Sequence, residues 1–171
     1  MMAEASRVVL AWLQQHEAWA PAVVFALAFG ESLALISLLL PATFILLGAS
    51  GLIGAAGLAF WPVWVAAVAG AVLGDAVSYW LAVYFQDAVG RAWPLSRHPD
   101  LLARGHVFFR RWGVGSVFLG RFFGPLRSAV PLVAGLCGMP QLPFQLANLA
   151  SALAWATLML APGVFGVRWL L

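Results

Sequence analysis

Two arginines and a Gly-Pro step interrupt a stretch otherwise fit for lipid: Gly120-Arg121-Phe122-Phe123-Gly124-Pro125-Leu126-Arg127-Ser128-Ala129-Val130-Pro131. An arginine at bilayer depth costs about 2.5–3.5 kcal/mol on insertion scales, so neither side chain can face acyl tails. Both must meet protein, water or an anion. Proline has no backbone N–H to continue a helix, and broken backbone at membrane depth is tolerated only where protein or a cavity satisfies it. Transporters build substrate sites from such broken helices, which makes transport the leading expectation.

Composition supports a membrane setting. The 171 residues are 64% hydrophobic and 9% charged, against about a quarter charged in soluble domains. Mean hydropathy is +0.96, which leaves little room for an extramembrane domain. All nine basic residues are Arg, a bidentate partner for carboxylate and phosphate, although codon usage accounts for the missing Lys as well. The single cysteine, Cys137, excludes an intrachain disulfide. The apolar run Val8–Leu13 is too short for a signal peptide core; residues 1–18 read as an interfacial amphipathic helix.

Four hydrophobic blocks follow. The first, 19–58, is far too long for one span and carries Glu31 and Pro41. The second, Phe60 to Phe85, has one span's length, with Asp75 its only charge. The third, Gly113 to Met139, is expected to break at Gly124-Pro125 and again at Pro131. The fourth runs from Pro143 to Leu160 and on toward Leu171. Five of the nine arginines lie in the polar connector 86–112, so the positive-inside bias places that connector in the cytoplasm. Its Pro99–Trp112 part reads as an amphipathic surface helix.

Blocks one and three share a register. Pro41 lies ten residues after Glu31 and Pro131 ten after Arg121; Gly48 and Gly138 follow seven residues on, and Trp61-Pro62 and Leu142-Pro143 open the next spans. This points to an internal repeat, 19–85 and 113–171, within a single membrane domain covering 1–171. Inverted repeats in which a hairpin dips into the membrane before a full span are a known transporter plan.

Arg121 and Arg127 would stand about 240° apart on an unbroken helix, and the break frees both to turn toward one point. With backbone N–H groups freed there, they form an anion site for which phosphate is the natural ligand. The alternative is that they only satisfy Glu31 and Asp75. Glu31 is expected beside Arg121, as a static ion pair or as a carboxylate that takes a proton when the pair separates. Gly70 and Gly74 make a small-xxx-small face for close helix approach, with Asp75 one residue beyond to brace a hairpin and Tyr79 one turn on to steady it. No metal-ligand spacing, dinucleotide motif or nucleophile–base pairing is present, so no metal, cofactor or enzymatic activity is expected.

The run Phe118 to Arg127, then Val130 to Gly135 and Met139, resembles the motif of DedA membrane proteins, the VTT or SNARE-associated group. Gly70 to Tyr79 resembles that family's Gly-Asp-Tyr segment and Phe29-Gly30-Glu31 its early acidic motif; Asn148 and Trp155 fit its last span. The resemblance covers about residues 20–160. It implies an all-α integral membrane fold of two facing reentrant hairpins, each followed by a transmembrane helix. It also implies lipid translocation, of undecaprenyl phosphate or phospholipids, often dependent on the proton-motive force. Glu31, Arg121 and Arg127 match the family's essential charged positions. A second acid usually follows the hairpin proline, and this chain has Thr43 there, which cannot titrate.

The combined expectation is a multi-pass transporter of the bacterial inner membrane that handles a polyprenyl phosphate or phospholipid. Protons are a candidate coupling partner, nucleic acid is no partner, and a homo-oligomer is compatible with the plan. Rival expectations are a small-ion or drug/H+ antiporter using the same charges, and a non-transporting membrane scaffold.

Overall fold

The computed structural model describes residues 17–33, 50–51, 53–54, 57, 59–85, 107–109, 111–123 and 126–170. All regular structure among them is helical: α1 Ala20–Ser32, α2 Phe60–Tyr84, α3 Val114–Gly120, α4 Leu126–Leu136 and α5 Gln141–Leu170, with a 3-10 turn at Glu17–Trp19 ahead of α1. Pro41, Thr43, Gly124 and Pro125, most of the N-terminal segment and most of the connector lie outside the described residues.

Proline opens three of these helices. Pro21, Pro62 and Pro143 fall within the first three positions of α1, α2 and α5, where the N–H has no intrahelical acceptor and its loss is harmless. The 25 residues of α2 and 30 of α5 span about 37 and 45 Å, enough for a hydrocarbon core of about 30 Å. At 13, 7 and 11 residues, α1, α3 and α4 reach only about 20, 10 and 16 Å. Both long helices are apolar enough to cross a membrane.

On α5, Leu142, Leu146, Leu149 and Leu153 form an exposed stripe, and Trp61, Val65, Leu73 and Trp80 do the same on α2. An apolar outer face of this extent belongs against lipid. Inward, α5 buries Phe144, Asn148, Ser151, Ala152 and Trp155 at helical spacing.

Contacts fix how the helices lie. Trp64 reaches Thr157 and Val72 reaches Asn148, so α2 and α5 run antiparallel. A Cβ on Gly70 would strike the Phe25 carbonyl, and one on Gly74 would come within 2.6 Å of the Phe29 oxygen. The small-residue face therefore does what its pattern predicts, bringing α1 and α2 to backbone contact. Gly135 does the same for α4, where a Cβ would lie 2.8 Å from that of Ala82.

At Pro131 the expected second break does not occur: α4 runs through it. The helix loses one backbone hydrogen bond there and continues, because Ala134 and Leu136, past the proline, are buried against its neighbours. It stops instead in a Schellman turn. Met139 N–H donates to Ala134 O (3.0 Å) and Gly138 N–H to Gly135 O (3.1 Å), with Gly138 at φ +64°.

Two apolar cores result. Val24, Ala28, Val63, Ala67, Ala71, Ala152, Trp155 and Leu160 form one. Tyr79, Val117, Ala134, Phe144 and Ala147 form the other. Asp75 falls between them on α2 and Asn148 between them on α5, defining a polar layer.

Candidate functional site: a buried arginine–carboxylate cluster

Glu31, Asp75 and Arg121 are about 5% exposed or less, and Asn148 is fully buried. Asp75 lies about 22 Å from the start of α2 and 13 Å from its end, deep within a span. A charge so placed is stable only when paired and hydrogen-bonded.

The chain reverses course around the first arginine. α3 ends at Gly120 and a tight turn follows, with Phe122 N–H donating to Leu119 O (3.0 Å) and Phe123 N–H to Gly120 O (3.2 Å). α4 begins at Leu126. Arg121 thus sits in the turn and Arg127 in the first turn of the next helix, so the two flank the interruption foreseen at Gly124-Pro125. Close packing holds the turn, since a Cβ on Gly120 would lie 2.5 Å from Val130 Cγ2.

Each arginine takes its own carboxylate. Arg121 Nη2 pairs with Asp75 Oδ2 and donates to Asn148 Oδ1 at 2.8 Å. Arg127 Nη1 pairs with Glu31 Oε1 at 2.9 Å, and its guanidinium carbon lies 4.8 Å from the centroid of the Trp155 ring. The expected Glu31–Arg121 pairing is therefore replaced by Glu31–Arg127 and Asp75–Arg121. Helix dipoles explain the choice. Glu31 is at the negative end of α1 and Arg127 at the positive end of α4, so each charge is at the wrong terminus of its own helix. Bringing the two ends together puts each charge against the favourable terminus of the other.

Tyr79 also departs from expectation. Its hydroxyl donates to Met139 O at 2.5 Å and its ring stacks on Phe144 at 4.3 Å, so it ties α2 to the end of α4 and does not steady Asp75. Asp75 is steadied by Arg121 itself.

Asn148 was not among the expected site residues. Its Nδ2 donates to Val72 O (3.0 Å) and Gln145 Oε1 (3.3 Å), which leaves Oδ1 as the acceptor for Arg121. The available signal was a polar residue in an apolar span. Trp155, placed from sequence only in the last span, turns its aromatic face to Arg127.

One donor is left over. Arg121 Nη1 is buried and has no hydrogen-bond partner among the described residues. Two ion pairs that balance in charge thus leave one spare buried donor able to meet an acceptor such as an anion's oxygen. Among the described residues no group of three His, Cys, Asp or Glu could hold a metal ion.

Two apolar helices of spanning length and a buried charge cluster, in an architecture all-helical among the described residues, are consistent with a helical membrane protein whose polar centre is internal. The VTT domain model matches residues 40–165, and the chain belongs to that family, the DedA membrane proteins. It is 33% identical over 153 residues to the inner membrane protein YabI of Escherichia coli, covering 90% of this chain and 60% of YabI. An uncharacterized membrane protein of Mycobacterium tuberculosis is 38% identical over 123 residues (68% of this chain, 56% of that protein). Another from Synechocystis is 34% identical over 150 residues (82% and 65%). The chain thus spans about three-fifths of the length of the curated relatives it matches. No solved structure matches it.

Proposed function

We propose that this protein is a multi-pass transporter of the bacterial inner membrane that passes a phosphate-bearing lipid, a polyprenyl phosphate or phospholipid, through its buried charge cluster. The observation that carries the reading is Arg121: a buried guanidinium with one nitrogen shared by Asp75 and Asn148 and the other unpartnered among the described residues. A purely structural ion pair has no need of a spare buried donor, whereas a phosphate offers acceptors for it and for Arg127.

In this reading α3 and α4, each too short to span, form one reentrant hairpin that faces the carboxylate-bearing helices α1 and α2. The headgroup enters between them, takes the free Nη1 of Arg121, and displaces Glu31 from Arg127. A carboxylate released inside a dry site favours its protonated form, which gives transport a route to couple to protons. Thr43 cannot supply a second titrating group, so Glu31 carries that role. No bond is made or broken, and the protein is a transporter and not an enzyme.

Flux in proteoliposomes tests this. Wild type is expected to move a fluorescent polyprenyl phosphate between leaflets, and Arg127→Ala to abolish movement while remaining folded in detergent. Equal flux by both proteins overturns the proposal. Cation flux that ignores added polyprenyl phosphate would instead establish the antiporter reading.

A further inference from the structure

The two arginines are held from two sides, and the sides differ in kind. Facing α1 and α2 they meet carboxylates, Glu31 and Asp75. Facing α5 they meet neutral groups, the amide oxygen of Asn148 and the ring of Trp155. Asn148 and Trp155 are seven residues apart, two turns along one face of α5, and both are buried. Asn148 is itself pinned through Nδ2 to the Val72 carbonyl, so its oxygen cannot turn away.

We propose that Asn148 and Trp155 form a charge-neutral cradle that keeps Arg121 and Arg127 in position while a phosphate takes Arg121 Nη1 and displaces Glu31 from Arg127. This rests on the transport reading above and deepens it by naming positioning residues on the last helix. The chemistry requires neutral groups. An arginine held only by carboxylates would either stay locked to them or, once they let go, lose its geometry in a low-dielectric interior. An amide oxygen and a π face hold a guanidinium without neutralising it, so its charge stays available to an anion. Carboxylates at the same two positions would compete with the phosphate.

One nitrogen, Arg121 Nη2, meets both Asp75 and Asn148, which allows a test that needs no lipid. Asp75→Asn should lower the melting temperature in detergent, because it removes the carboxylate from a buried arginine. Adding Asn148→Asp should restore part of that loss by supplying the carboxylate from α5, the remainder being the cost of the lost Nδ2 bonds to Val72 O and Gln145 Oε1. Failure of the double variant to recover overturns the cradle, whatever the transport result.

The second arm uses polyprenyl phosphate and the matching polyprenol as probes of thermal stabilisation. Wild type should be stabilised by the phosphate and not by the alcohol. Asn148→Asp alone should lower the unliganded melting temperature, because the Nδ2 bonds to Val72 O and Gln145 Oε1 are lost, and should bind the phosphate at least about tenfold more weakly, a loss of about 1.4 kcal/mol. Trp155→Phe should retain binding within about threefold and Trp155→Leu should not, since the phenyl ring keeps a π face. Wild-type-like phosphate binding by both Asn148→Asp and Trp155→Leu overturns the cradle. Failure of wild type to distinguish phosphate from alcohol counts against the transport reading, and the rescue arm still decides the cradle.

Discussion

The two ends of the charge cluster solve the same problem differently. At Arg121 the side chain is met by a carboxylate and an amide, and the whole group is sealed between the apolar cores. At Arg127 one carboxylate and one aromatic face are partners among the described residues, and the side chain is about two and a half times as exposed, 10% against 4%. A paired cation with less solvent around it is the harder to remove. Arg121 is thus the anchor of the layer and Arg127 its movable member. The carboxylates differ in place and not in burial: Asp75 sits well inside a long helix, Glu31 at the last turn of a short one, and both are buried.

Arg121→Ala should break this contrast most severely. It strands Asp75 and Asn148 in the interior, and thermal unfolding in detergent should show a loss of about 3–5 kcal/mol. Arg127→Ala should cost about 1–3 kcal/mol, because the buried Glu31 left behind at a helix C-terminus can take a proton. Equal losses from the two variants would erase the distinction between anchor and movable member.

Gly74→Val comes next. Its side chain would meet the Phe29 carbonyl and Ser32 Cβ, at 2.6 and 2.7 Å from the new Cβ, and overpacking of this kind costs about 1–3 kcal/mol. Displacing α1 moves Glu31 and spares Asp75. Phosphate-lipid affinity should therefore change in Gly74→Val even where the protein stays folded.

Tyr79→Phe should cost about 1 kcal/mol, the worth of its hydrogen bond to Met139 O, with no effect on flux. Thr157→Val, which loses an exposed contact from Trp64 at the periphery, should stay within about 0.5 kcal/mol.

Much of the scaffold was legible along the chain because its signals are local. The Phe60–Phe85 block became a helix over Phe60–Tyr84, and the block beginning at Pro143 became one from Gln141 to Leu170. Gly70 and Gly74 sat four apart and made the close face their spacing implied. The interruption between Arg121 and Arg127 was legible for the same reason.

Partner choice was not. Which carboxylate meets which arginine depends on the rotation and depth of four helices that are distant in sequence, and equal spacing to a proline does not encode it. The repeat register suggested Glu31 with Arg121, whereas helix termini brought Glu31 to Arg127. Pro131 was misread because a proline reports only a lost hydrogen bond, and the packing beyond it decides whether the helix goes on. Asn148 and Trp155 are single residues in an apolar run, and only the position of the neighbouring guanidinium groups gives them meaning.

The central claim is that both guanidinium groups hold a phosphate headgroup, and the most direct measurement is mass spectrometry of lipids that copurify with wild type and with Arg127→Ala. Wild type should carry a phosphate-bearing lipid well above its share of the host membrane, and the variant should return to the bulk composition. Identical lipid profiles from two equally folded preparations would contradict the account.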